Sequence, residues 1–277
     1  MYRVITLTIL MSVLFSCGKD PVTSTPPADG CKLKTVNFDT SQSGAFNVKY
    51  DGDLIVQLTR ESDSQHKIVF GFDSLNRFAK RETFGPFNGS QILTGRSEYY
   101  YDQSGHFVKR LEYGQTYSGN TALGLSLQGI DSFTYSGSNI SEMKNYSPFN
   151  GTNIYQGKTV FTWTNDDLSS LQEYDQRGQV YHSVNFTYDV SKENKFDSLF
   201  KGFYIQEPFE YGHSLEGVRR SKHILTQSVE QWNSSPPPPP RTSTYITTFY
   251  KNGYVKSIQE TIGATTFYVF RFQYTCD

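Results

Sequence analysis

Neither sign of charge dominates the 277 residues: 26 Lys and Arg stand against 27 Asp and Glu, a net of −1. That balance excludes a strongly basic nucleic-acid binder and an acidic solvating tail. No apolar run is long enough to cross a bilayer as a helix. The one at the N-terminus, from Val4 to Phe15, would span roughly 18 Å against a hydrocarbon core of about 30 Å. No window after residue 30 sustains an i, i+3, i+4, i+7 apolar stripe, which excludes a helical body. The motifs of several chemistries are missing as well: no HExxH, no CxxC, no D-x-D-x-D-G calcium loop, no P-loop and no GxGxxG. Gly212-His213-Ser214-Leu215-Glu216-Gly217 has its second glycine one place too late for a nucleophile elbow and lies in no βαβ pattern, so Ser214 reads as a loop residue. Aromatics are not scarce. With 21 Phe, 20 Tyr and 2 Trp, and only 19% charged residues, the chain can bury a core, which excludes wholesale disorder.

The N-terminus reads as an address. Met1-Tyr2-Arg3, the apolar run and Ser16-Cys17-Gly18 have the layout of a secretory signal peptide. Leu14-Phe15-Ser16-Cys17 resembles the lipobox of bacterial lipoproteins. The resemblance implies cleavage before Cys17, diacylation of its thiol and acylation of the new N-terminus; two or more acyl chains hold a membrane firmly. Gly18-Lys19-Asp20 would follow the lipid, leaving a surface-exposed and a periplasmic address both open. Residues 18–30, GKDPVTSTPPADG, carry three prolines and no aromatic. They read as a tether that reaches at most about 45 Å.

From residue 31 onward the pattern alternates. In Asp53–Arg60, Leu54, Val56 and Leu58 share one face against Gln57 and Thr59. In Val180–Asp189, Val180, His182, Val184, Phe186 and Tyr188 oppose Tyr181, Ser183, Asn185 and Thr187; in Phe267–Tyr274, Tyr268, Phe270, Phe272 and Tyr274 oppose Arg271 and Gln273. A period of two is that of strands buried on one side, the habit of antiparallel sheet. A phrase recurs between them: an aromatic, a polar turn with Gly or Asn, then an apolar restart. It begins at Tyr50, Phe72, Tyr101, Tyr135, Tyr174 and Tyr250. The spacing is loose, which predicts a meander of hairpins rather than a solenoid.

The phrase Tyr-Asp-x-x-Gly-x-apolar resembles the tyrosine–aspartate (YD) hairpin repeats. The layout as a whole is similar to a group of Bacteroidota lipoproteins that carry a domain of unknown function with a porin-like, all-β fold. The matching pieces are Cys17, the start at Cys31, Phe186-Thr187-Tyr188-Asp189, a polar insert ending in Lys195-Phe196, and the finish Phe270-Arg271-Phe272-Gln273-Tyr274-Thr275-Cys276. The expected organisation is a signal peptide at 1–16, a lipidated Cys17 and tether at 17–30, and a single all-β domain at 31–277. That domain is expected to be a large antiparallel meander forming a strongly curved sheet or barrel-like body, soluble rather than membrane-spanning. A lipid anchor makes a spanning barrel unnecessary, and the finish Thr275-Cys276-Asp277 lacks the terminal aromatic of outer-membrane barrels. Two segments break the meander: Ser191–Phe200, read as one or two helical turns with Ser191 as N-cap, and a polyproline loop at 236–240 between strands.

With Cys17 lipidated, Cys31 and Cys276 remain as an even pair bracketing the body and are expected to form a disulfide. His66, His106, His182, His213 and His223 show no zinc spacing, and no metal or cofactor is expected. Asp166-Asp167 reads as a turn rather than a glycosidase carboxylate pair, since neighbours on a strand face opposite ways. Tyr99, Tyr101, Trp163 and Trp232 are the candidates for stacking on a sugar. The reading is a lipid-anchored envelope protein, an outer-membrane lipoprotein without catalysis, that binds a glycan or an envelope protein and no nucleic acid. A glycan-processing enzyme and a structural component of an envelope complex are the alternatives.

Overall fold

The computed structural model describes residues 31–38, 44–194, 221–251 and 253–275. Among them there is no helix; sixteen strands run in chain order. They are β1 (Lys32–Phe38), β2 (Ala45–Asp51), β3 (Leu54–Arg60), β4 (Lys67–Phe72), β5 (Phe78–Phe87), β6 (Ser90–Tyr101), β7 (Phe107–Ser118) and β8 (Thr121–Ser136). There follow β9 (Asn139–Phe149), β10 (Thr152–Thr164), β11 (Asp167–Tyr174), β12 (Val180–Glu193), β13 (His223–Trp232), β14 (Arg241–Phe249), β15 (Val255–Ile262) and β16 (Thr265–Thr275). Every strand pairs antiparallel with its sequence neighbours, and β1 pairs with β16, so the sheet is a closed barrel. The expected curved meander is therefore a full closure, which leaves no edge strand in the wall.

An antiparallel meander places alternate connections at opposite ends. The rim where β1 begins and β16 finishes, here the near rim, also carries the β2–β3, β4–β5, β6–β7, β8–β9, β10–β11 and β14–β15 turns. The far rim carries the β3–β4, β5–β6, β7–β8, β9–β10, β11–β12 and β15–β16 turns and the exposed proline loop between β13 and β14. The aspartate of the recurring phrase has a physical role. The Asp73 carboxylate accepts hydrogen bonds from the backbone N–H of Leu75 and Arg77, and that of Asp175 from Arg177 and Gln179. Asp102 accepts from His106 in the same way. Asp73 and Asp175 form Asx turns, and Asn76, Gly105 and Gly178 supply the positive φ the loops need.

At the near rim the foot of one strand is tied to the start of its neighbour by an aromatic side chain. Tyr101 Oη donates to the Phe78 carbonyl at 2.7 Å, Tyr135 Oη to Phe107 at 2.9 Å and Trp163 Nε1 to Ile140 at 2.8 Å. Tyr188 Oη donates to Leu168 at 2.8 Å and Tyr274 Oη to Val255 at 3.0 Å. Tyrosine serves here because it packs a ring inward and still satisfies a carbonyl near the end of the ladder.

Inside this ring the lumen is filled. Phe78, Phe107, Phe133, Met143, Phe161, Leu168, Leu171, Val184, Phe270 and Phe272 are all at or below 8% exposure and belong to one connected core. A sixteen-stranded porin leaves an aqueous channel; side chains this dry line none. The outer face is polar. On it the Glu82 carboxylate meets Arg96 at 2.9 Å and Lys80 at 3.2 Å, and Glu142 meets Lys158 at 2.7 Å and Lys144 at 3.3 Å.

Two local expectations are corrected. In β3 the buried pair is Ile55 and Leu58, not Leu54, Val56 and Leu58, because a register shift between Lys49↔Gln57 and Tyr50↔Ile55 inserts Val56 as an extra residue. Ser191 caps no helix: β12 continues to Glu193, and Ser191 N–H and Oγ both donate to the Asp189 carboxylate. The rest of the segment, 195–200, lies outside the described residues, as do Cys17, Cys276, His213 and Ser214.

Candidate functional site

Moving from the near rim toward the far rim, the inward positions change from aromatic to charged. Arg110 on β7 lies between Asp131 on β8 and Glu112 two residues along its own strand. Its Nε and Nη2 are 2.8 and 2.6 Å from Asp131 Oδ2, and its Nε is 2.9 Å from Glu112 Oε1. Asn145 Nδ2 donates to Asp131 Oδ1 at 2.6 Å, and Ser97 Oγ to Glu112 Oε2 at 2.8 Å. Burial works against the charge on Arg110, but Asp131 and Glu112 outweigh it and hold the guanidinium above its ordinary value. Tyr99, beneath this network, has its hydroxyl pushed far up by burial.

Farther round the belt, His182 Nδ1 is 2.9 Å from Glu173 Oε2, and the imidazole stacks on the Trp232 indole at 4.0 Å. Burial, with Glu173 adding to it, pushes the neighbouring Tyr181 hydroxyl up to about 12. On β13–β15, Ser228 Oγ and Tyr245 Oη are 3.0 Å apart, and Tyr245 Oη donates to Glu260 Oε1 at 3.3 Å. Burial raises the Glu260 carboxyl, and Glu230 adds to the rise against the charge of Arg241 and the hydrogen bond from Tyr245.

That rise has a sign for stability. Above the ordinary carboxylate value the unfolded chain releases the Glu260 proton first, so the folded state is progressively disfavoured as pH climbs through the window up to the raised value. Glu260→Gln removes this dependence. The melting temperature of the variant relative to the parent is expected to rise between pH 4 and pH 8; a constant or shrinking difference in paired thermal melts would refute it.

The four aromatic candidates do not come together as one platform. Tyr99 is 5% exposed and packs its ring against Phe78 at 4.6 Å. Tyr101 and Trp163 are half-buried, with their polar heads committed to the near-rim ties. Trp232 alone is exposed, at 41%, at the far rim. The stacking expected of Tyr99 is corrected because its ring is buried in the core, while Tyr101 and Trp163 sit at strand feet and turn their polar heads to the Phe78 and Ile140 carbonyls. Asp166 and Asn165 form the β10–β11 turn with positive φ, and Asp167 is bound by the N–H and Nδ1 of His223 at 2.9 and 2.7 Å. The turn reading of this pair is the one the geometry supports. No group of three His, Cys, Asp or Glu among the described residues can hold a metal. The charged belt went unread in the sequence. Its signal is a charge in the inward phase of a strand, as Arg110, three places after the buried Phe107, illustrates only once the bulge opposite Tyr100 and Tyr101 is known.

No protein-family model matches the chain, and no curated protein matches it. Among solved structures it is similar to a porin-like protein from Bacteroides uniformis at 13% identity and a TM-score of 0.41, covering 88% of this chain and 98% of that one. A protein of unknown function from Bacteroides fragilis matches at 10% identity and a TM-score of 0.28, over 44% of this chain and 82% of that one. The chain also covers 83% of itself but 14% of the chain in the TcdB2-TccC3-TEV structure, at 11% identity and a TM-score of 0.34.

Proposed function

We propose that the protein is a lipid-anchored binding module of the cell envelope, soluble in its folded body and without catalysis of its own. The polarity of the wall carries this reading. A membrane-spanning barrel turns an apolar band about 25 Å tall toward lipid; here the outward rows carry ion pairs such as Arg96 with Glu82 and Lys158 with Glu142, Tyr100, Tyr181 and Ile246 are exposed singly among them, and the connected apolar core faces in. The carboxylates of the inner belt engage Arg110, His182 and Tyr245, which supports a structural role for them over a glycosidase pair. Residue 31 stands at the near rim. A lipid on Cys17 and a tether of residues 18–30 would turn that rim toward the membrane and the far rim away from it, toward a glycan or an envelope protein. A Cys31–Cys276 disulfide belongs to the same proposal. It is supported by the pairing of Lys32, which follows Cys31 in the sequence, with Thr275, which precedes Cys276.

All sixteen strands lie within residues 32–275, so a chain lacking residues 1–17 retains every one. It is expected to stay monodisperse without detergent and, denatured without reductant, to show no free thiol. The full chain is expected to carry an acylated Cys17 that Cys17→Ala abolishes, read by intact mass. A detergent requirement for the truncated chain, or an unmodified Cys17, would overturn the reading.

A further inference from the structure

Three hairpins at the far rim outgrow the barrel wall. The β6–β7 pairing stops at Gly95↔Gly114 and the β8–β9 pairing at Ile130↔Tyr146, yet the pairs within each hairpin run on to Phe87↔Ser90, Ser118↔Thr121 and Phe149↔Thr152. Beyond those limits the strands are three two-stranded fingers. Asn88-Gly89 and Asn150-Gly151 close the outer two with positive φ at both positions, the primed turn that suits a twisted hairpin. The first two fingers touch. Phe87 and Tyr117 rings are 5.1 Å apart, and Asn88 Nδ2 donates to the Asn120 carbonyl at 3.0 Å.

The composition of the fingers departs from the rest of the chain. Residues 85–95, 114–130 and 146–157 contain no Asp, Glu, Lys, Arg or His, in a chain that is 19% charged. They present large apolar side chains to solvent instead: Tyr117 at 46%, Leu123 at 61%, Phe149 at 61% and Ile154 at 42% exposure. Asn, Gln, Ser and Thr hold 16 of the 40 finger positions, and Gly nine.

We propose that these fingers bind a neutral polysaccharide, a reading that rests on the binding-module function proposed above and gives it a site. An uncharged surface matches an uncharged ligand. Nucleic acids and acidic polymers need the cations it lacks. Ring faces pack on the apolar faces of pyranoses, and side-chain amides, with two donors and an acceptor each, read hydroxyls that also both donate and accept. A bilayer is the competing uncharged partner. Sinking the fingers into lipid would bury many amides at about 1–3 kcal/mol for each left without a partner, and the fingers stand at the rim opposite the one where residue 31 begins β1.

The test is affinity electrophoresis of the chain lacking residues 1–17 in gels cast with starch, galactomannan or mixed-linkage β-glucan, with polygalacturonate as the acidic control. Retardation is expected in at least one neutral gel, unchanged between low and molar salt, and absent with polygalacturonate. The double variant Tyr117→Ala/Phe149→Ala, at two exposed positions, is expected to bind roughly tenfold or more weakly, while Trp232→Ala, outside the fingers, retains binding. Three results would each overturn the proposal: salt-sensitive binding to polygalacturonate, binding to phosphatidylcholine vesicles, or retention in no gel. Neutral-glycan binding lost in Trp232→Ala but not in the finger variant removes the site and leaves the binding module standing.

Discussion

Phe78→Ala is expected to lower the stability of the barrel by about 3–5 kcal/mol, the range for truncating a buried aromatic where the surroundings cannot collapse. Phe78 is 1% exposed and begins β5 at the near rim. Its ring meets Tyr99 at 4.6 Å, Phe72 at 5.8 Å and Phe70 at 5.9 Å, all at steep interplanar angles. These edge-on contacts favour the opposite polarities of ring edge and ring face, and each adds to the area buried. Alanine would leave a void bordered by three rings on two strands, β4 and β6, each strand fixed by its own ladder. The hydroxyl of Tyr101, bonded to the Phe78 carbonyl rather than to its side chain, would keep its partner, so the variant isolates packing from hydrogen bonding. Urea denaturation of the chain lacking residues 1–17 measures the loss; Leu75→Ala, at a 69% exposed position three residues away, serves as the control and should change little. A loss below about 1 kcal/mol for Phe78→Ala would mean that the near half of the lumen is not packed as described.

Arg110→Met is expected to cost a comparable amount, about 3–5 kcal/mol, for a different reason. Methionine keeps much of the stem and the volume, so packing changes little. What it removes is the cation bonded to Asp131 Oδ2, whose side chain is 7% exposed, while Glu112, at 30%, retains contact with water. An ion pair drawn out of water contributes little net stability while intact, but stripping one partner leaves the other as a dry, unbalanced charge. The double variant Arg110→Met/Asp131→Asn should therefore recover part of the loss, because the amide can still accept from Asn145 and carries no charge. A double variant no more stable than Arg110→Met would show that the guanidinium stabilises the wall in some way other than balancing Asp131.

The fold class was legible because alternation survives along the strands whose registers are regular. In β12, His182, Val184 and Phe186 are buried as the period of two predicts, and in β16 Phe270 and Phe272 are. Alternation misled at β3, where one extra residue transfers the buried role from Val56 to Ile55. Bulges of this kind are set by the partner strand and leave no mark in the bulged segment itself. Closure was equally hidden, since a curved open sheet and a barrel have the same local pattern and differ only in whether Lys32 meets Thr275. The site was less legible than the fold. Tyr101 and Trp163 look like exposed platforms in isolation, and only their distance to the carbonyls of Phe78 and Ile140 reveals what they do. Arg110 and Asp131 are 21 residues apart with no motif between them. The absence of charge in the fingers, by contrast, stands in plain view in the sequence, and acquires meaning once the register shows where the wall ends.

The single long-range pairing of the barrel also orders its assembly. Each strand from β2 to β15 finds both partners among its immediate sequence neighbours, whereas β1 must wait for β16. Bringing together two ends separated by about 240 residues costs about 5 kcal/mol of chain entropy if the intervening segment is loose, and far less once that segment is already a curved sheet. Zippering from hairpin to hairpin therefore comes first and circularisation last. Until β16 has arrived, β1 and the growing front both expose unpaired backbone, the state most prone to capture by another copy. A chain made from its N-terminus holds that open form until β16, which follows every other described strand, has emerged.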